Sequence, residues 1–288
     1  IDGLAWNRGQ NEYIVDGKIS DIFNKAILAL KIETAEGEIS DFCFTGFDND
    51  FGQFTIPGDY YFSGRVNVTG ELDNIKNKVN LIFKSSENNN TEILISGIVD
   101  KDFNLDLSGK SVEIEKIIKG YKERKLYGLL NFNGDLTGDY NDINVKLTTS
   151  IKEARVGDFA VDSIDGELRL INSEEIYLNQ EMLIGPRCNF NIKGDIPFST
   201  ELENIDLNVE MNDFPLTLVS SYFPDIPEIK GNLSGDIYLK GSPEKPELSG
   251  KALLKKGTLD INLPETFKNL NGDFLLTGDK IELMNFTG

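Results

Sequence analysis

Along most of this chain hydrophobic residues recur at every second position, a period that a β-strand satisfies and an α-helix does not. Ile143, Val145 and Leu147 alternate with Asp142, Asn144, Lys146 and Thr148. Ile205, Leu207, Val209 and Met211 alternate with Asp206, Asn208, Glu210 and Asn212, and Phe103, Leu105 and Leu107 do the same. Successive strand side chains point to opposite faces, so each segment carries one apolar and one wet face. Strands buried on both faces would read as continuous apolar runs; clean alternation therefore predicts an antiparallel, all-β fold.

Asn133-Gly134, Asp165-Gly166, Lys193-Gly194, Asn271-Gly272 and the polar tract from Ser85 to Asn90 look like the turns between strands. Glycine or Asn supplies the positive φ of tight hairpins, which with 27 glycines predicts about twenty to twenty-five short strands. Two segments change to helical period. Pro215–Phe223 follows Asn212-Asp213, a capping pair, and places Leu216, Val219 and Phe223 on one side. Ser111–Lys119 does the same with Ile114, Ile117 and Ile118.

The motifs repeat. Leu126–Gly134 aligns with Ile229–Leu239 through Gly128 and Gly231, 103 positions apart, and Ser163–Leu170 aligns with Asn269–Leu276 through Gly166 and Gly272, 106 apart. This predicts a partial, weakly matching unit over 1–125, a repeat over 126–228 and the start of another over 229–288. Units that continue one sheet bury each other's edges, so the expectation is one elongated β domain, a fragment of a longer chain, with short helices at the repeat junctions.

Charge and composition exclude several functions. Twenty-nine Lys and Arg against 48 Asp and Glu give a net charge of −19, which repels phosphate backbones and excludes nucleic acid as a partner. There is no histidine, hence no Ser-His-Asp triad and no imidazole ligand. The carboxylates fall on the wet positions of strands, where solvated charge belongs. Asp48-Asn-Asp50-Phe-Gly52 opens like a calcium loop but lacks the spacing and the closing Glu. No catalytic residue, metal site or cofactor is expected. Cys43 and Cys188 lie 145 positions apart and read as two unpaired strand cysteines.

Ile229–Pro243, then Pro246–Leu259, then Phe267–Gly278, resemble TamB/AsmA-like repeats: a Gly-bearing strand, a Pro-x-Leu-x-Gly return, an apolar strand ending Gly-x-Leu, and an Asn-Leu-Asn-Gly strand. The resemblance is good over about 126–288 and looser before it. It implies a sheet curled into an open apolar groove, β-taco-like, where the alternation alone allows a filled core between two sheets equally well. By the same implication the groove is lined by Val79, Leu81, Phe83, Phe103, Leu105, Leu107, Ile143, Val145, Leu147, Leu168, Leu170, Ile176, Leu178, Phe190, Ile192, Leu207, Val209, Ile237, Leu239, Leu259, Ile261, Phe274, Leu276, Ile281 and Leu283. The implied function is a non-enzymatic conduit for phospholipid between inner and outer membrane. The implied location is the periplasm of a diderm bacterium, anchored to the inner membrane through a segment outside this sequence. Two other readings remain at this point: a scaffold for outer-membrane β-barrel proteins that works by strand addition, and a surface adhesin or β stalk.

Overall fold

The computed structural model describes residues 1–8, 11–38, 53–54, 60–88, 90–119, 126–156, 159–197, 205–218, 229–242, 245–259, 267–278 and 280–288. Its strands are β1 Leu4–Arg8, β2 Asn11–Ser20, β3 Ile27–Glu38, β4 Gln53–Phe54, β5 Tyr60–Glu71, β6 Asn74–Ser85, β7 Glu92–Val99, β8 Phe103–Glu113 and β9 Ile118–Lys119. They continue as β10 Leu126–Gly138, β11 Ile143–Val156, β12 Phe159–Ile171, β13 Glu175–Ile184, β14 Cys188–Pro197, β15 Ile205–Pro215, β16 Ile229–Ser242, β17 Lys245–Leu259, β18 Phe267–Gly278 and β19 Lys280–Thr287. Seventeen of them form one antiparallel sheet that does not close into a barrel, and each strand pairs with the next one along the chain. β4 and β9 form a separate small pair.

Among the described residues the strands are fewer and longer than the glycine pattern suggests, reaching 15 residues in β17. The reason is that Gly134, Gly166, Gly194 and Gly272 lie inside β10, β12, β14 and β18 and are not hairpin tips. Gly194 shows why glycine is needed there. Its φ is +141°, and a Cβ would stand 1.9 Å from the Asp206 carbonyl oxygen of β15. Only glycine permits this approach, which bends and coils the strand pair. The hairpins are set instead by acidic side chains. The Asp139 carboxylate accepts the N–H groups of Asn141 (2.7 Å) and Asp142 (3.1 Å), bonds that hold its pKa below the usual value. Asp100 accepts from the Asp102 N–H in the same way, while the described part of the Ser85–Asn90 tract ends β6 and turns the chain into β7 as expected.

The helices shrink to almost nothing. In the 111–119 segment β8 runs on to Glu113, one α-helical turn (α1, Ile114–Ile117) follows, and β9 takes the rest. In the second segment β15 continues through Pro215, only Thr217 and Leu218 are helical, and 219–223 lie outside the described residues. Asp213 caps nothing, because it is committed to the neighbouring strand. Its N–H donates to Ser234 Oγ (2.9 Å), its carboxylate accepts from Asn232 Nδ2 (2.9 Å), and its φ of 53° makes it a bulge residue.

Two compact units emerge: residues Ile1–Gly120 with Leu129–Thr148, and Tyr121–Gly128 with Thr149–Gly288. The first has its core around Tyr13, Tyr60, Phe62 and Phe83, with the rings of Phe62 and Phe83 6.1 Å apart. The second has its core around Cys188, Phe214 and Leu218, with Phe190 and Phe214 5.1 Å apart. Cys188 carries a free, buried thiol whose pKa is pushed up by burial and then by the charge of Asp213. Cys43 and the Asp48–Gly52 segment lie outside the described residues.

Candidate functional site

Residues directly opposite one another in an antiparallel pair share a face, so the registers trace the apolar floor strand by strand. In the first unit Val66 faces Val79, Leu81 faces Ile95, Phe83 faces Ile93, Leu107 faces Ile95 and Leu136 faces Leu105. Phe103 faces Val99, and Gly134 abuts the Leu147 backbone, which brings Ile143, Val145 and Leu147 of β11 onto the same side. In the second unit Leu170 faces Ile176, Leu168 faces Leu178, Ile192 faces Val209 and Phe190 faces Met211. The row continues through Leu207 with Leu239, Val209 with Ile237, Ala252 with Phe274, Phe274 with Leu283 and Leu276 with Ile281.

The alternating apolar residues whose side chains are described therefore share one face of the sheet within each unit. Leu259 ends β17 opposite Ile229 and Phe267, but its side chain, like the whole of Ile261, lies outside the described residues.

Exposure distinguishes a floor from a sealed core. Of these residues Phe83 (2% exposed) and Leu207 (6%) are buried, Ile281 (61%) and Leu283 (59%) are open, and the others are half-buried. A filled sandwich would close them all. In the second unit the floor deepens into an apolar cavity of about 340 Å³, within the roughly 300–1,000 Å³ of small-ligand sites. Leu233, Ile237, Leu254, Leu270, Phe274 and Phe286 are among its walls, with Lys230 and Thr258 at its margin. A cavity walled by consecutive strands of one sheet requires that sheet to be concave.

Phe286 falls out of step with Ile281 and Leu283, and Leu254 with Leu259, because bulges in β19 and β17 shift the parity, whereas Leu233 and Leu270 keep step with Ile237 and Phe274 and were simply missed. Register slips fall between Met211 and Phe214, between Leu254 and Gly257, and between Asn271 and Asp273. Two polar residues in succession, as in Asn212-Asp213 and Lys255-Lys256, are the readable sign of such a slip. Left-handed bulge residues also recur at the repeat spacing: Ser111 and Asp213 are 102 apart, Glu153 and Lys256 are 103 apart, and all four have φ between 51° and 54°.

The opposite face is a ladder of paired charges. Arg65 Nε donates to Glu33 (2.6 Å) across β3 and β5, Lys240 reaches Asp206 (2.8 Å), and Arg169 pairs with Glu167 (2.7 Å) while stacking 5.1 Å over Tyr177. Hydrogen bonds from Lys31 and then Arg65 hold the Glu33 carboxyl below the usual range. Such exposed pairs contribute little stability but keep that face wet. Among the described residues no His, Cys, Asp and Glu group is arranged to hold a metal ion, and no helix is long and apolar enough to cross a membrane.

An open antiparallel sheet with one apolar, concave face and one charged face is thus the class of protein that the fold and the site define. Residues 187–277, spanning most of β14 to β18, match the family model of the TamB C-terminal domain, so this part of the chain is similar to that domain. No curated protein and no solved structure matches it significantly.

Proposed function

We propose that the chain is a non-enzymatic carrier of phospholipid acyl chains, working in the envelope of a diderm bacterium between the inner and outer membrane. The observation that carries this reading is a floor that is apolar at nearly all its described positions yet half-open along each unit. Exposing an acyl chain to water costs ~0.8 kcal/mol per methylene, so about sixteen carbons cost on the order of 12 kcal/mol. An apolar floor removes most of that barrier. Because the attraction is non-directional, the chain slides without needing specific contacts. The match to the TamB C-terminal domain supports an envelope role of transport or assembly. The floor residues named above are the proposed lipid contacts, with headgroups at the wet strand ends. The anchor is proposed to lie in sequence outside this chain.

The competing role, strand addition to an outer-membrane β-barrel protein, draws support from β19, whose outer edge has no strand partner among the described residues. The two separate on Leu239→Asp and Val145→Asp. On an open floor the new carboxylate reaches water, so both variants should fold, as judged by circular dichroism, while vesicle-to-vesicle transfer of a fluorescent phospholipid is lost. Folded variants with normal transfer would remove conduction from these residues. Unfolded ones would mean that the floor is sealed, since an uncompensated buried carboxylate consumes much of a domain's ~5–15 kcal/mol.

A further inference from the structure

Among the described residues, the floor of the second unit contains one polar interruption. Gln180 of β13 stands opposite Gly166 of β12, and its side chain lies over that glycine, with Cδ 2.9 Å from where a Cβ would be. Its Nε2 donates to Thr149 Oγ1 of β11 (3.1 Å) and to the Glu167 carbonyl (3.0 Å), while the Thr149 hydroxyl donates to the Gly166 carbonyl (3.4 Å). A polar bridge thus spans three strands across the middle of the floor. Apart from this pair, the floor positions aligned by the registers from β12 to β19 are apolar or glycine, away from the strand ends.

The contrast with Gly272 gives the bridge meaning. Gly272 lies 106 positions after Gly166 and is covered by an aromatic ring, that of Phe286, 2.2 Å from its notional Cβ. Phe286 is a wall of the apolar cavity. Hydrocarbon covers other floor glycines too: Phe62 over Gly37, Leu81 over Gly64 and Phe132 over Gly109. Among these, Gly166 alone has an amide as its nearest side chain; at Gly37 the Asn11 amide carbon, 3.2 Å away, lies beyond the Phe62 ring at 2.5 Å. The bridge is half-exposed, so an acyl chain crossing it must strip water from amide and hydroxyl groups and offer no hydrogen bond in return.

We propose that the Thr149–Gln180 bridge is a polar step in the acyl path, a selectivity element that holds hydrocarbon on the β14–β19 side and slows its passage over β12. The proposal rests on the acyl-carrier reading, and the test separates the two. Palmitic acid bearing a diazirine is photolysed with the protein, and adducts are mapped by mass spectrometry. The expected wild-type pattern is labelling at β16–β19 with little at β12–β13. Thr149→Val with Gln180→Leu should raise the β12–β13 share about tenfold, the equivalent of removing one unfavourable polar burial. Phe286→Gln should lower labelling at β16–β19. Melting curves establish that each variant is folded, and Phe286→Gln keeps the test decisive if the double variant is not. Equal wild-type labelling on both sides, or no redistribution in folded variants, overturns the step while leaving the carrier reading intact. No labelling on any floor strand overturns both.

Discussion

The two ends of the strands are built differently in both units, and the difference divides stability from function. One end is where β3, β8, β15 and β17 finish. There lie the buried apolar residues Tyr13, Tyr60, Phe62, Phe83, Val112 and Ile114 in the first unit and Val161, Cys188, Phe214, Leu218 and Leu254 in the second. The other end has open side chains, with Phe23 fully exposed and Ile22, Leu72 and Tyr140 largely so. The closed margin supplies most of the core. The open margin leaves the floor accessible, which a carrier of hydrocarbon requires and a filled core would not allow.

The largest effect expected from this contrast is at Phe62, 1% exposed. Phe62→Ala should cost about 3–5 kcal/mol, whereas Phe23→Ala at the open margin should stay within roughly 0.5 kcal/mol. Urea denaturation of the two variants measures both. Similar losses would mean that the margins do not divide the labour.

A smaller effect should appear at Glu175, at the open end of β13. Burial and then the charge of Asp195 raise its carboxyl above the usual carboxylate range. A raised folded pKa favours the protonated form, so its contribution is complete below the unfolded value and is lost as pH climbs through the folded one. Glu175→Gln should therefore match the wild type near pH ~4 and melt slightly higher near pH ~7. A difference of the opposite sign, or none, would place Glu175 in ordinary solvent.

Much of this was legible in the residues. Alternation at Ile143–Leu147 and Ile205–Met211 was enough to predict antiparallel strands and to put the expected floor residues on one side. The glycines misled, because Asn-Gly and Asp-Gly serve a hairpin and a concave strand equally well. What decides between them at Gly166 and Gly194 is the approach of a carbonyl from a partner strand, which no local pattern records. The short helices misled for a related reason: a polar doublet such as Asn212-Asp213 caps a helix or makes a bulge, and Ser234 and Asn232 of β16 determine which. The Thr149–Gln180 bridge joins residues 31 apart over an intervening strand, so it too needed the fold.

The central claim, that the half-open floor contacts lipid and the charged face does not, is tested most directly by placing a photo-crosslinking amino acid on adjacent residues of one strand. Ile237 and Tyr238 of β16 are such neighbours, one facing Val209 and Gly250 on the floor, the other turned to the outer face opposite Asn208 and Ser249. With protein made in cells of a diderm bacterium, irradiation should yield phospholipid adducts at position 237 and none at 238, detected by mass spectrometry. Equal adducts at both positions, or none at 237 in a folded protein, would contradict the account.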